Sequence, residues 1–515
     1  MTAPTVSSLS QLGDAFARAL DARDARFDGV FFVGITTTRI YCRPVCPSRI
    51  SFRSHRRFFG SAAAAEREGF RPCLRCRPEL APGFAPVDAV PRLAFAAARL
   101  IAAGALNGHS VTDLARNLGV SERHLRRAVE RELGVSPLAL AQTHRLLLAK
   151  RLLADTTLSV TRIAYASGFQ SLRRFNAAFR AQYRMAPKAL GRAPQRESAG
   201  EFLRLTLAYR PPFAWGVLAG FLAHDAIAGV ETTEGLRYGR TVSIDGRRGV
   251  FFAQNATSPN KSVARRSEAA REHTHQSWRN HLIVDVSPSL VPALMPLLAR
   301  LRQLFDLDSD PLTIDDHLTQ GGLGAFVART PGIRLPGAFD GFEVAMRVIL
   351  HGRLRCTIGV GTVPNTNDAA SRVTRALGEP IETGVPGLSH LAPSAPRIAE
   401  AGSKRLRALG VPASKADALV AVARLVEQGH LNLEPGSDVV ATRRALMEIP
   451  GLGDQLATTI VMRALYWPDA FPVSSRAMAR TAHGSGERAS GTLSELWRPW
   501  RAYATLHLGL SNDPR

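Results

Sequence analysis

The sequence predicts a multidomain protein, mainly α with α+β parts, and three observations carry that reading. At 515 residues the chain is too long for one hydrophobic core, and domains of roughly 100–200 residues imply three or four units. Four of the five cysteines fall between positions 42 and 76, in two tight pairs. Further on, one helical pattern occurs twice about 50 residues apart, and a glycine-rich hairpin lies between helical stretches near position 451. With 45% hydrophobic and 21% charged residues, the composition is globular rather than disordered or fibrous.

The charge is strongly unbalanced: 66 Lys plus Arg against 43 Asp plus Glu give +23. Such a surplus favours a polyanionic partner, nucleic acid first, although a generally arginine-rich proteome gives the same balance. Asp14, Asp21 and Asp24 interrupt the first 30 residues, so no secretory signal is read. The most apolar stretch, FAWGVLAGFLA at 213–223, is too short to span a bilayer. A cytoplasmic, nucleoid-associated protein with no membrane partner is expected, and in that compartment clustered thiols serve metal binding or catalysis rather than disulfides.

The first element, 1–80, is built around IYCRPVCPSRI and GFRPCLRCRPEL. Three residues lie between Cys42 and Cys46, two between Cys73 and Cys76, and 26 separate the pairs. Two tight pairs at this separation suit one tetrahedral Zn²⁺ held by four thiolates. So short a segment buries little core, and structural zinc contributes ~10–16 kcal/mol of coupled folding energy. Arg43, Arg71, Arg75 and Arg77 interleave with the cysteines, forming a cationic rim suited to phosphate. Zinc-bound thiolate is also nucleophilic at neutral pH. The residues alone therefore leave two readings open, a structural zinc and a nucleophilic centre.

FFVGITTTRIYCRPVCPSRI together with GFRPCLRCRPEL resembles the amino-terminal domain of the Ada alkylation-response regulators, over nearly all of 25–80. The resemblance implies that all four cysteines bind zinc and that the first, Cys42, irreversibly takes a methyl group from a methylphosphotriester in the DNA backbone. It places Thr38, Arg71 and Arg75 toward phosphate. Methylation would change the charge of the site from about −2 to about −1, lessening repulsion of DNA phosphates and tightening binding.

The Pro-rich 81–94 reads as a linker, and 95–192 as a double helix-turn-helix. In VTDLARNLGVSERHLRRAVERELGVSP, Leu114 and Leu118 share a face, Gly119 turns the chain and Ser121 caps a second helix. Leu125 and Val129 then point inward, while Arg123, His124, Arg126 and Arg127 face outward. In VTRIAYASGFQSLRRFNAAFRAQYRMAP the same roles fall to Gly168, Ser171, Phe175 and Phe179, and Arg173, Arg174 and Asn176 are placed to meet a groove. A lone copy would read equally as an αα-hairpin; two copies with cationic second helices favour DNA binding. The second unit resembles the signature of AraC-type activators, a class that implies operator DNA and RNA polymerase as partners. Ada proteins carry this domain after the zinc domain. Many continue into a Pro-Cys-His-Arg methyltransferase motif, which is missing here; the remaining cysteine, Cys356, lies in LRCTIG.

Residues 202–310 are expected to form an α+β subdomain and 311–515 a helical one. IPGLGDQLA puts Gly451 and Gly453 in a tight turn before a helix, so backbone N–H groups can approach a phosphate. With LAYRPPFAWGVLAGFLAHDAIAGVE, PGIRLPGAFDGFEVAMRVIL and WRPWRAYATLHLG, this stretch resembles the AlkA-type 3-methyladenine DNA glycosylases and their helix-hairpin-helix. That resemblance implies base flipping and an aspartate that stabilises positive charge as the glycosidic bond breaks. Ser475 stands at the aspartate's position, and Gln455 and Thr459 stand where the family has Trp and Tyr. A hydroxyl lacks the carboxylate's charge, a loss commonly worth ~10²–10⁴ in rate. The family's ILGQQVS-like segment reads ILHGRLRCTIGVG, making 351–370 unusual, and 254–280 is a polar, basic insertion expected to be a loop. The expectation is an Ada-like regulator fused to an AlkA-like domain whose glycosylase chemistry is lost. The alternatives are a non-enzymatic transcription factor with a structural zinc and an active glycosylase using another acid.

Overall fold

The computed structural model describes residues 13–48, 51–83, 92–190, 202–256, 280–351, 368–472 and 494–511. Ser475, Cys356 and most of the segments 254–280 and 351–370 lie outside the described residues. The chain forms two compact units, one of Met1–Pro211, Asn255–Ala299 and Leu307–Ser309, the other of Pro212–Gln254, Arg300–Asp306 and Asp310–Arg515. Residues 202–310, read from sequence as one subdomain, contribute to both.

In the first unit, helix α1 (Gly13–Asp21) packs Phe16 and Leu20 onto a small sheet. Its strands are β1 (Phe32–Ile35), β2 (Ile40–Cys42), β3 (Arg56–Phe59) and β4 (Arg71–Pro72), in the order β3-β1-β2-β4. β1 pairs antiparallel with β2 and β3, whereas β2 and β4 run parallel, Ile40 opposite Arg71. Helix α2 (Ala62–Arg67) crosses between β3 and β4, capped by Ser61.

Helices then take over: α3 (Arg92–Ala102), α4 (Val111–Asn117), α5 (Glu122–Leu133), α6 (Pro137–Asp155), α7 (Val160–Ala166), α8 (Leu172–Tyr183) and α9 (Pro187–Leu190). The two units expected from sequence are α4–α5 and α7–α8. At both turns a glycine takes a left-handed conformation, Gly119 at φ +67° and Gly168 at +83°. Ser121 and Ser171 follow, each accepting a hydrogen bond from a first-turn amide. Leu114, Leu125 and Val129 are buried in one unit, Phe175 and Phe179 in the other.

Beyond residue 202 come β5 (Leu203–Ala208), α10 (Trp215–His224), β6 (Glu231–Glu234), β7 (Arg237–Ile244), β8 (Arg247–Asn255) and β9 (His281–Val286). In the first unit β5 pairs antiparallel with β9; in the second, β6, β7 and β8 form an antiparallel meander. The remaining helices are α11 (Leu294–Leu304), α12 (Pro311–Leu318), α13 (Gly324–Arg329), α14 (Gly341–His351), α15 (Ala369–Leu377), α16 (Ala395–Ala408), α17 (Ala413–Glu427), α18 (Val439–Met447), α19 (Asp454–Ala464) and α20 (Arg501–Ser511). One apolar core joins α14, α17 and α19, with Met346, Leu419 and Ile460 fully buried. Among the described residues no helix is long and apolar enough to cross a membrane.

Candidate metal centre and nucleic-acid interface

Strand pairing assembles the thiol site. Cys42 ends β2, and the parallel strand β4 delivers Cys73 directly after Pro72, with the Cys73 amide donating to the Tyr41 carbonyl at 3.0 Å. A turn closed by the Cys46 amide on the Arg43 carbonyl (3.1 Å) returns the second thiol. The four sulfur atoms lie within 4.8 Å of one another. A tetrahedron with Zn–S bonds of about 2.3 Å requires sulfurs about 3.8 Å apart, so the donor set and its size fit one zinc ion. Backbone amides of Arg43 and Arg75 donate to the Cys76 and Cys73 sulfurs, each at 3.4 Å, which favours thiolates.

Electrostatics demand a cation here. Four thiolates at this distance are tolerated together only around a dication. All four cysteines are buried, each 9% exposed or less.

The surroundings correct one expectation. Arg43 does not stand in a phosphate-facing rim. It is 6% exposed, its Nε donates to Asp28 at 2.8 Å, a second nitrogen pairs with the other carboxylate oxygen, and Nη1 donates to the Cys76 carbonyl at 3.2 Å. A buried guanidinium must be paired, and Asp28 engages it beneath the site. Arg77 is likewise committed to Asp155 and Glu79. Thr38, in the β1–β2 turn, and Arg75 are exposed, and Arg71 is half-buried beside Ile40.

On α5, Arg123, His124 and Arg127 are exposed, while Arg126 pairs with Glu122 at 2.6 Å. On α8, Arg173 and Arg174 are exposed and Asn176 half-buried. In the second unit Gly451 adopts φ +89° between α18 and α19, and Gly453 caps α19 without a side-chain bond. Asp469 and Asp454, the acids before Ser475 in the chain, are held in ion pairs: Asp469 by Arg498 (2.8 Å) and Arg501 (2.7 Å), and Asp454 by Arg443. Thr459 is buried, its hydroxyl donating to the Gln455 carbonyl at 2.8 Å.

Sequence reasoning missed the buried polar residues that join the zinc centre to the helices. Lys150 of α6 donates to the Cys73 carbonyl, and Glu66 of α2 accepts from both Tyr41 and Thr143. Their partners lie 25 to 77 positions away, and no local pattern marks them.

Fold and site together define a multidomain zinc-thiolate protein with a double helix-turn-helix and a helix-hairpin-helix unit. Family models described as the metal binding domain of Ada, a helix-turn-helix domain and the AlkA N-terminal domain match residues 15–79, 114–193 and 204–340. The "Probable bifunctional transcriptional activator/DNA repair enzyme AlkA" of Mycobacterium tuberculosis is 35% identical over 502 residues, covering 95% of each chain. The DNA-3-methyladenine glycosylase 2 of Escherichia coli is 30% identical over 303 residues, 59% of this chain and 95% of the relative. The bifunctional transcriptional activator/DNA repair enzyme Ada of Escherichia coli is 47% identical over 60 residues, 12% of this chain and 17% of that one. The chain belongs to the family of bifunctional transcriptional activator/DNA repair proteins, and its four-cysteine site takes one zinc ion.

Proposed function

We propose that Cys42 accepts a methyl group from a DNA methylphosphotriester and that the resulting charge change switches the double helix-turn-helix to tighter operator binding. The observation that carries this reading is the compact four-sulfur donor set, with Cys42 ending β2, the strand that follows the exposed turn at Thr38. Zinc held by the four thiolates supplies the charge that keeps Cys42 deprotonated at neutral pH. The Cys42 sulfur attacks the methyl carbon; an S–C bond forms as the C–O bond breaks, and the electron pair leaves with the oxygen of a restored phosphodiester. No proton moves, and each molecule reacts once. Exposed Thr38 and Arg75, with half-buried Arg71, are the candidates for holding the phosphate. Arg123, His124, Arg127, Arg173, Arg174 and Asn176 are assigned to operator contacts, Gly451 and Gly453 to phosphate in the second unit, and RNA polymerase to the activated complex.

The division of labour follows the segments 1–80, 95–192, 202–310 and 311–515. In the last, Ser475 at the aspartate's position, with Asp469 and Asp454 both in ion pairs, supports a DNA-binding module without efficient base excision. Intact mass after incubation with methylphosphotriester duplex tests the first half: one added methyl, mapped to Cys42 and lost in Cys42→Ser, is expected, whereas zinc-loaded protein that stays unmodified refutes it. Release of 3-methyladenine from alkylated duplex tests the second. The natural chain is expected to be at least ~10²-fold slower than Ser475→Asp, and equal rates would make the domain an active glycosylase.

A further inference from the structure

A buried polar seam ties the zinc centre to α6, the helix joining the two helix-turn-helix units. Lys150 is 2% exposed; its Nζ donates to the Cys73 carbonyl at 3.1 Å and to Glu79 Oε2 at 2.6 Å. The other oxygen of Glu79 accepts from Arg77 at 3.0 Å, and the two terminal nitrogens of Arg77 donate to both oxygens of Asp155, the last residue of α6, at 2.6 Å each. Two turns before Lys150 on the same face, Thr143 donates to Glu66 Oε2 at 2.7 Å, and Glu66 Oε1 accepts the Tyr41 hydroxyl at 3.0 Å. Tyr41 precedes Cys42 on β2, and its carbonyl holds the Cys73 amide. Helix α6 thus reaches the side chain of Tyr41, next to Cys42, through Glu66 and the backbone carbonyl of Cys73 through Lys150.

A helix of this kind needs no buried lysine for its own fold. Lysine is among the residues least often buried, and taking its ammonium out of water is tolerated only with fixed partners. Those partners, Glu79 and the Cys73 carbonyl, come from the zinc segment. The contact therefore exists only while that backbone keeps its folded course, and loss of geometry there leaves a buried cation unpaired on α6.

We propose that Lys150 is a positioning residue that makes the zinc centre and the double helix-turn-helix one mechanical unit, so that the state of the thiol site is felt along α6. This rests on the methyl-acceptor reading for the signal carried, while the coupling itself is measured separately.

The test uses the full chain. Hydrogen exchange of the α6 amides is followed with zinc bound and after chelation, in the natural protein and in Lys150→Met. Chelation is expected to raise α6 exchange about tenfold or more in the natural protein and less than about threefold in the variant. An equal rise in both, or no rise in the natural protein, overturns the proposal. Thr143→Val cuts the other arm of the seam and gives the same comparison if Lys150→Met does not fold. Cys42 methylation is read by intact mass on the same samples. Coupling without a methyl adduct refutes the acceptor reading and leaves the seam; an adduct with equal exchange responses refutes the seam and leaves the acceptor.

Discussion

The zinc segment and the helix-hairpin-helix unit hold their chemistry in opposite ways. Around the thiols the core is thin: Phe16, Phe31 and Val33 pack against the cysteines themselves, so the ligands are also the core. In the second unit, α14, α17 and α19 bury a continuous aliphatic core, threaded by ion pairs such as Arg240–Glu343 at 2.6 Å, Arg347–Glu231 at 2.5 Å and Arg463–Asp225 at 2.8 Å. The first fold depends on the group it uses, whereas the second stands on packing among apolar side chains. Loss of one thiol therefore removes both a ligand and a core contact from the first, whereas the second rests on many apolar side chains at once.

The sharpest way to break this comparison is Cys73→Ala. Zinc binding should fall below detection, and with it much of the ~10–16 kcal/mol that a structural zinc contributes. Metal analysis with limited proteolysis should show cleavage within 13–83 while the second unit persists. Survival of that segment without zinc would mean that its apolar core suffices. Next in size is Asp28→Asn, which removes the countercharge of Arg43 from a buried site and should cost about 3–5 kcal/mol in denaturant unfolding of the zinc-loaded protein. A cost below about 1 kcal/mol would show that Arg43 can swing to solvent.

The third prediction concerns His351, whose ring nitrogens lie 3.3 Å from Asp225 and 3.6 Å from Asp368. Burial alone would lower its pKa, but the two carboxylates outweigh it and raise it to about 9. The folded state thus binds a proton more tightly than the unfolded chain. The pair's contribution is complete below the ordinary histidine pKa and is lost as pH rises through about 9. Unfolding at pH 6 and pH 10 should differ by about 1–3 kcal/mol from this source, and His351→Gln should flatten the difference. An unchanged slope in the variant would assign it to other groups.

Much of the site was legible because its signals are local. The cysteine spacings, the Gly119 and Gly168 turns with their serine caps, and the Gly451 hairpin are each set within a few residues, and the structure places these elements at the expected positions. Arg43 was misread for the converse reason: its composition and neighbours say cation, but its fate is decided by Asp28, 15 residues away and buried with it.

The sequence by itself determined that four thiolates meet one zinc ion, that two capped helical pairs follow, and that a glycine hairpin opens a helix. These follow from donor chemistry, helix periodicity and backbone freedom. Only the tertiary structure decided which arginines are withdrawn from solvent and which buried lysine reaches a ligand's carbonyl. Desolvation and pairing depend on what packs around a charge, and here the partners come from strands and helices up to 78 residues apart.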